Sequence, residues 1–403
     1  MVAENMRDNE TIIDTVITWG MVEGDLQKQF KTKARTGPAR SAKLLSGGYV
    51  SKSALITFDW SDEQERLPKR GMIKITSSAG MKALSELNGA FLRYDEMATC
   101  FSDTEYNFYK NAPQVGILDE IPVPNFIGGR PFGVDGVEAG YTILEFLENV
   151  HNRHVFHALS PKTATEAVKM LARIAAYSLR HRKEARILAE NEVFEDFFSD
   201  FTRDQRIQEG FEAIESRWPD LKPAIDVMRT KSKVFTSAKN FKNELVKACK
   251  HETIVHGDMW PGNILFNKSN AGDYSIRVIV DWQTMHIGNP MEDLTRLLST
   301  GLGADEYRNR RDFYLETYYE TLKAETKGEE LPWDSLEKLI EDYEKAYPLI
   351  AIVWIPPFIL VLADDHIREH SDGEDDDVRL KTFLDKYRLM IEESAKYIKK
   401  WKL

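Results

Sequence analysis

His256-Gly257-Asp258-Met259-Trp260-Pro261-Gly262-Asn263, running on into Ile264-Leu265-Phe266, is the stretch on which the reading of this chain turns. An Asp and an Asn at this spacing, in a loop that leads into a short apolar strand, converge on one point. The carboxylate of Asp258 suits accepting or orienting the proton of an attacking hydroxyl. Asn263 offers a neutral carbonyl oxygen to a hard cation such as Mg²⁺. Phosphoryl transfer needs both tasks done side by side, because its catalysis is mostly positioning and charge neutralisation. Downstream, Arg277-Val278-Ile279-Val280-Asp281-Trp282-Gln283 reads as an apolar strand that delivers an acid at its end, where a second metal ligand belongs. Met291-Glu292-Asp293-Leu294 opens the next helix. Asp293, in a first turn favoured by the helix dipole, is expected to brace the loop rather than take part in chemistry.

Working upstream, Gly71-Met72-Ile73-Lys74-Ile75-Thr76 places a lone Lys inside an apolar strand. An ammonium is costly to bury there unless it is paired. Lys74 is read as the lysine that holds ATP phosphates, steadied by an acid on a following helix. Glu105 is the first choice for that acid and Glu86 and Glu96 are its rivals; an edge-strand Lys reaching to water is the structural alternative. Ser46-Gly47-Gly48 joins two β-favouring runs, 42–46 and 49–60, as a hairpin whose backbone N–H groups can also approach phosphates. Thr142-Ile143-Leu144-Glu145-Phe146-Leu147 fits a strand, expected over 141–147, entering a connector; the backbone at Glu145 and Leu147 is the expected partner for adenine.

The rest of the pattern gives an α+β chain in two parts, with a small β-rich part over 1–145 and a large mainly helical part over 146–403. Residues 9–35 look helical, as do 80–93 and 101–111, and Pro113, Pro122 and Pro124 mark a loop. Amphipathic helices are expected at 163–181, 205–218, 237–250, 305–325, 333–346 and 380–399, interrupted by strands at 253–255, 264–267 and 276–281. Ser371–Asp377, SDGEDDD, reads as a solvated loop. The 403 residues with 42% hydrophobic content allow a large core. A net charge of -11 argues against a general nucleic-acid binder, since no surplus of Lys and Arg is present to neutralise phosphates. Cys100 and Cys249 stand outside any zinc spacing and are expected to be buried free thiols of a reducing cytoplasm. The apolar run 349–363 is too short for a membrane span and is broken by Pro356-Pro357, so it is expected in the core.

The order Gly-rich hairpin, strand Lys, helix Glu, HGDMWPGNILF and then IVDWQTMHIGNPMEDLTRLL resembles the choline-kinase-like, or ecdysteroid-kinase-like, branch of the aminoglycoside phosphotransferase superfamily. The resemblance covers about residues 42–296. It implies a bilobal protein-kinase-like fold and MgATP, with Asp258 as catalytic base, Asn263 and Asp281 on metal and Lys74 on phosphates. Ala175 stands where many relatives carry His, a position that is not a metal ligand in the family. A small-molecule alcohol is the implied acceptor, with no nucleic-acid or membrane partner. A steroid-like or xenobiotic alcohol is favoured over choline or ethanolamine, and a non-catalytic ligand-binding pseudokinase is the further alternative. The late aromatics Tyr314, Tyr318, Tyr319, Trp333, Tyr343, Tyr347, Trp354 and Phe358 are read either as core or as walls of the acceptor pocket.

Overall fold

The structure, a computed structural model, describes residues 9–45, 50–61, 66–88, 93–189, 204–235, 244–245, 248–356, 358 and 373–403. The chain divides into two units, each with the make-up expected of one lobe of a kinase-like fold. The division is not a single cut near residue 145. The first unit takes the chain up to Val115, Pro124–Glu148 and Trp282–Thr284; the second takes Gly116–Val123, Asn149–Asp281 and Met285–Leu403.

In the first unit, α1 (Trp19–Phe30) begins at Thr18, whose hydroxyl accepts the Met21 N–H as an N-cap. Strands β1 (Ser41–Leu44), β2 (Lys52–Thr57) and β3 (Arg70–Ser77) follow, then helices α2 (Ser78–Asn88) and α3 (Tyr94–Val115), then β4 (Phe126–Arg130) and β5 (Ala139–Leu144). They form one antiparallel sheet in the order β1-β2-β3-β5-β4. Ile73 and Ile75 of β3 share a core with Trp19, Val22 and Leu26 of α1. Strand alternation therefore puts Lys74 on the opposite face, where α3 packs. Asp25 of α1 ties the helix to the sheet, accepting from Arg130 Nε at 2.7 Å and from Tyr141 Oη at 2.6 Å.

Several local expectations are corrected here. Residues 9–35 are helical only from Trp19, because the Thr15 hydroxyl bonds the Ile12 carbonyl and accepts the Ile17 N–H, a side-chain competitor of the helix ladder. β4 lies in the Pro-marked region read as loop. β5 stops at Leu144, short of the expected end at 147, with the Glu145 N–H still pairing with the Asn125 carbonyl at 2.8 Å. Gly47, Gly48 and Ser46 lie outside the described residues.

The second unit contains β6 (His151–Asn152), α4 (Pro161–Arg180), α5 (Arg182–Leu188), α6 (Asp204–Arg217), α7 (Lys222–Phe235), β7 (Thr253–Val255), β8 (Ile264–Lys268), β9 (Tyr274–Ile279) and β10 (His286–Gly288). Four helices complete it, α8 (Met291–Gly301), α9 (Ala304–Glu325), α10 (Leu336–Ile352) and α11 (Asp376–Trp401). Two small sheets, β6-β8-β9 and β7-β10, carry the loops of interest. Ser160 caps α4 and Pro161 takes its first position; Ala175 is buried on this helix. Of the helix expected at 237–250, the described residues show helix only at 244–245 and a turn at 248, with 236–243 and 246–247 outside them.

The acidic stretch is corrected only in its last part: residues 373–375 are loop, and the helix begins at Asp376. Asp375 caps α11 through its side chain, and Asp376 and Asp377 sit in the first turn where the dipole favours them. Residues 371 and 372 lie outside the description. α10 continues through Pro348 to Ile352, all buried, while 357 and 359–363 of the apolar run are not described. No helix among the described residues is long and apolar enough to cross a membrane. Cys100 and Cys249 are unbridged, as expected, but half-buried rather than buried.

Asp342 joins α8 to α10 from inside the core, accepting from Asn289 Nδ2 at 3.0 Å and from Trp333 Nε1 at 2.8 Å. Burial pushes its carboxyl up to about 7 against these bonds. A folded-state pKa above the unfolded value gives a contribution that is full below about pH 4 and lost as pH rises to about 7. Wild-type stability, followed by urea unfolding across that window, is expected to fall by up to about 4 kcal/mol relative to Asp342→Asn. Parallel pH profiles for the two proteins would refute this.

Candidate active site

Five of the residues singled out in the sequence fall into two local clusters, one in each unit. In the first, Lys74 Nζ lies 2.8 Å from Glu105 Oε2, with both side chains largely buried. The rival acids are occupied elsewhere, Glu86 beside Lys82 and Glu96 beside Arg93. Lys74 also donates to Gln283 Oε1 at 3.2 Å. Gln283 reaches it because Trp282 stacks on Phe108 of α3, with ring centroids 4.1 Å apart. A carboxylate and a neutral amide thus both hold the ammonium. Glu145 does not offer a free N–H: its backbone donates to Asn125, and its carboxylate accepts from Asn125 Nδ2 at 2.6 Å. Leu147 lies beyond the strand and is half-buried.

The second cluster is built around the loop after β7. Asp293 in the first turn of α8 accepts two backbone N–H groups, from His256 at 2.6 Å and from Gly257 at 3.0 Å. Gly257 has φ +82, a left-handed conformation that favours glycine. His256 Nδ1 accepts the Asp258 N–H, so its other nitrogen donates to the Val280 carbonyl at 3.0 Å. Burial lowers the His256 pKa, which keeps the ring neutral for that role. Gly262 is required by contact, since a Cβ there would lie 2.3 Å from the Trp260 ring.

Asn263 places both amide hydrogens on Asp258, at 2.8 Å to its carbonyl and 2.9 Å to Oδ2. This orients Asn263 Oδ1 away from the carboxylate. The Val280 N–H donates to the Asn263 carbonyl at 3.0 Å, which brings Asp281 alongside the loop. Asp281 itself has φ +67, an unusual conformation for a residue with a side chain, held one residue beyond that bond. Burial raises the Asp258 pKa and the Asp281 charge adds to the effect, while Arg296 opposes it. Arg296 Nη1 is 3.1 Å from Asp258 Oδ1, and its guanidinium lies 5.8 Å from the Trp354 ring. A third of the Asp258 side chain remains exposed, so the carboxylate is braced yet approachable.

Asn263 Oδ1 and the Asp281 carboxylate are hard oxygen donors, and mutual repulsion of Asp258 and Asp281 is the field a divalent cation relieves. Among the described residues no group of three or more His, Cys, Asp or Glu side chains could hold a metal alone. Mg²⁺ characteristically takes one or two protein oxygens and completes its shell from phosphates and water. The residues present fit that ion.

Arg296 and the Lys74 contact of Gln283 are not evident from sequence, although DLTRLL does place an Arg one helical turn after Asp293. The late aromatics separate cleanly. All are buried, and Tyr343 and Tyr347 pack with Tyr307 and Tyr397 in the core. Trp354 instead meets the loop, through Arg296 and the Trp260 ring at 6.0 Å.

A family model described as "Uncharacterized oxidoreductase dhs-27" matches residues 6–400, and the chain belongs to that family, DUF1679. The Caenorhabditis elegans protein of that name is 21% identical over 362 residues. The match takes in 81% of this chain and 41% of the relative, so the chain spans less than half the length of the protein it matches. Similar solved structures include a protein from Ralstonia eutropha JMP134 described as an aminoglycoside phosphotransferase, at 14% identity and TM-score 0.49, covering 94% of this chain and 97% of that one. The choline kinase of Cryptosporidium parvum Iowa II is similar at 11% identity and TM-score 0.48, covering 90% and 93%. A microcompartment-associated aminopropanol kinase is similar at 12% identity and TM-score 0.46, covering 93% and 97%.

Asp293 is predicted to be a positioning residue. Asp293→Ala leaves two buried N–H groups without an acceptor, at about 1–3 kcal/mol each. Thermal denaturation is expected to show this loss, with Asp293→Asn recovering part of it through one remaining oxygen. Unchanged stability in Asp293→Ala would show that the loop holds its shape without the brace.

Proposed function

We propose that this chain is an ATP- and Mg²⁺-dependent phosphotransferase acting on the hydroxyl of a small molecule. The observation that carries this reading is the Asp258–Asn263–Asp281 arrangement: a braced, approachable carboxylate beside an oriented amide oxygen and a second acid. The Lys74–Glu105 pair supplies the complementary element, a buried ammonium fixed in direction and suited to phosphate oxygens. Asp258 accepts the proton of the attacking hydroxyl, and Arg296 and Asn263 hold its carboxylate in place. Asn263 and Asp281 would hold Mg²⁺, which supplies charge neutralisation on the phosphates when bound. Retention of the full set Lys74, Asp258, Asn263 and Asp281 favours an enzyme over a ligand-binding pseudokinase.

The acceptor favoured is an apolar alcohol, steroid-like or xenobiotic, with choline or ethanolamine as the second reading. The reason is local charge. Trp354, the late aromatic ring that meets Arg296 beside Asp258, already carries that guanidinium, so a quaternary ammonium would meet a cation where it needs a bare ring face. The oxidoreductase in the relative's name belongs to a protein more than twice the matched length, and the site residues described above support phosphoryl transfer instead.

An ATP-consumption screen over a panel of small alcohols, with and without Mg²⁺, tests the reading. Turnover is expected only with Mg²⁺. Asp258→Asn keeps the shape but removes the base, so kcat should fall about 10²–10⁴-fold with little change in nucleotide affinity. Asp281→Asn, a residue that tolerates φ near +67, and Lys74→Met should instead lose the thermal stabilisation given by MgATP. Full activity in Asp281→Asn would end the proposal.

A further inference from the structure

Two side chains beside Asp258 hold hydrogen-bond donors that the protein leaves unmet. Among the described residues the Arg296 guanidinium donates to one acceptor, Asp258 Oδ1, through Nη1 at 3.1 Å, so Nε and Nη2 have none. Its side chain keeps 9% of its surface open, next to a carboxylate that is a third exposed. The other donor is the indole of Trp354. That residue is 8% exposed, and its Nε1–H is buried with no acceptor among the described residues. An unmet buried donor costs about 1–3 kcal/mol.

The two belong to one place. The Arg296 guanidinium lies 5.8 Å from the centre of the Trp354 ring, and Trp260 of the loop meets the same ring at 6.0 Å. The Trp354 backbone is fixed from behind, where its carbonyl accepts from Tyr387 Oη at 2.9 Å. What is missing here is acceptors rather than charge. Asp258 already matches the guanidinium at contact distance, and Asp281 adds a second negative charge near that carboxylate. An anion on Arg296 would meet both acids, and a cation would meet the guanidinium. A neutral oxygen accepts from either donor without that penalty. Water also fits this description, but the place adjoins the carboxylate that receives the acceptor hydroxyl. A hydroxyl poised for proton transfer lies about 2.6–3.2 Å from its base, so the rest of the same molecule passes close to Arg296. A molecule that displaces water there loses affinity unless it reproduces the water's hydrogen bonds.

We propose that Arg296 and Trp354 bind a second, uncharged oxygen of the acceptor, a hydroxyl or carbonyl close to the hydroxyl that is phosphorylated. This rests on the phosphotransferase reading and deepens it: the apolar alcohol is a diol or hydroxyketone rather than a simple alcohol. The second oxygen only accepts hydrogen bonds. The reacting oxygen forms the new bond to phosphorus as the bond to ADP breaks, and its proton passes to Asp258.

The test uses the full chain and four probes on one ring: cyclohexanol, the vicinal cyclohexanediol, the corresponding hydroxyketone and the corresponding hydroxy acid. Each is followed by ATP consumption with Mg²⁺ and, without nucleotide, by calorimetry. The diol or hydroxyketone is expected to exceed cyclohexanol in kcat/KM by at least about a hundredfold, as a site with unmet donors requires. Trp354→Phe keeps a ring but removes the N–H, and should narrow that ratio about tenfold, mainly through KM. Arg296→Gln should bring the ratio close to unity while lowering kcat for every alcohol, since it also releases Asp258. Arg296→Lys should restore part of that kcat. Turnover with equal kcat/KM for cyclohexanol and the diol overturns the subsite and leaves the phosphotransferase reading standing. So does a preference confined to the hydroxy acid, or one that survives Arg296→Gln. Absence of Mg²⁺-dependent turnover counts against the phosphotransferase reading, and calorimetry then decides the subsite. Diol binding that is lost in Arg296→Gln supports it, and no diol binding by wild type overturns it. The wild-type comparison stands even where Arg296→Gln fails to fold.

Discussion

The two hydrogen bonds from the His256 and Gly257 N–H groups to the Asp293 carboxylate are the constraint on which the geometry of the second unit's loop depends. A buried acid is costly, and burial raises its pKa accordingly. The two backbone donors offset that cost while fixing the path of the loop. With that path fixed, the His256 ring reaches the Val280 carbonyl and Asn263 receives the Val280 N–H. The loop and the end of β9 are therefore registered to each other by three residues. Asp258, Asn263 and Asp281 come together as a consequence.

Much of this was legible in the sequence because the signals are local. A lone Lys in an apolar strand predicts a buried partner, and an Asp at a helix start predicts a brace for nearby N–H groups. What escaped notice depends on tertiary contact. Glu105, the first choice, is the acid on Lys74, but spacing alone does not exclude Glu86 and Glu96; the turn of α3 that faces β3 does. The Gln283–Lys74 bond follows from Trp282 stacking on Phe108, a contact between residues far apart in the chain.

Acidic residues misled the reading where their cost was judged only as repulsion. In SDGEDDD the acids at 375–377 lie at the start of a long helix, where unsatisfied N–H groups and the dipole stabilise negative charge. The same physics that makes a charge run hydrate well makes it an effective helix start. Aromatic residues behaved in the opposite way. Their abundance in the late helices suggested a binding wall, yet most serve the packing of α9, α10 and α11.

The charge pattern that remains visible around these rings bears on the acceptor. Choline-type recognition places acids and bare aromatic faces around a cation. Here Arg296 lies on Trp354, and a guanidinium with unmet donors sits on the face of α11 that meets Phe156. Trp260 links the two regions through Trp354 on one side and His154 on the other. Beside the loop, the cation already seated on an aromatic face is Arg296, an arrangement unlike the bare faces that choline-type recognition uses.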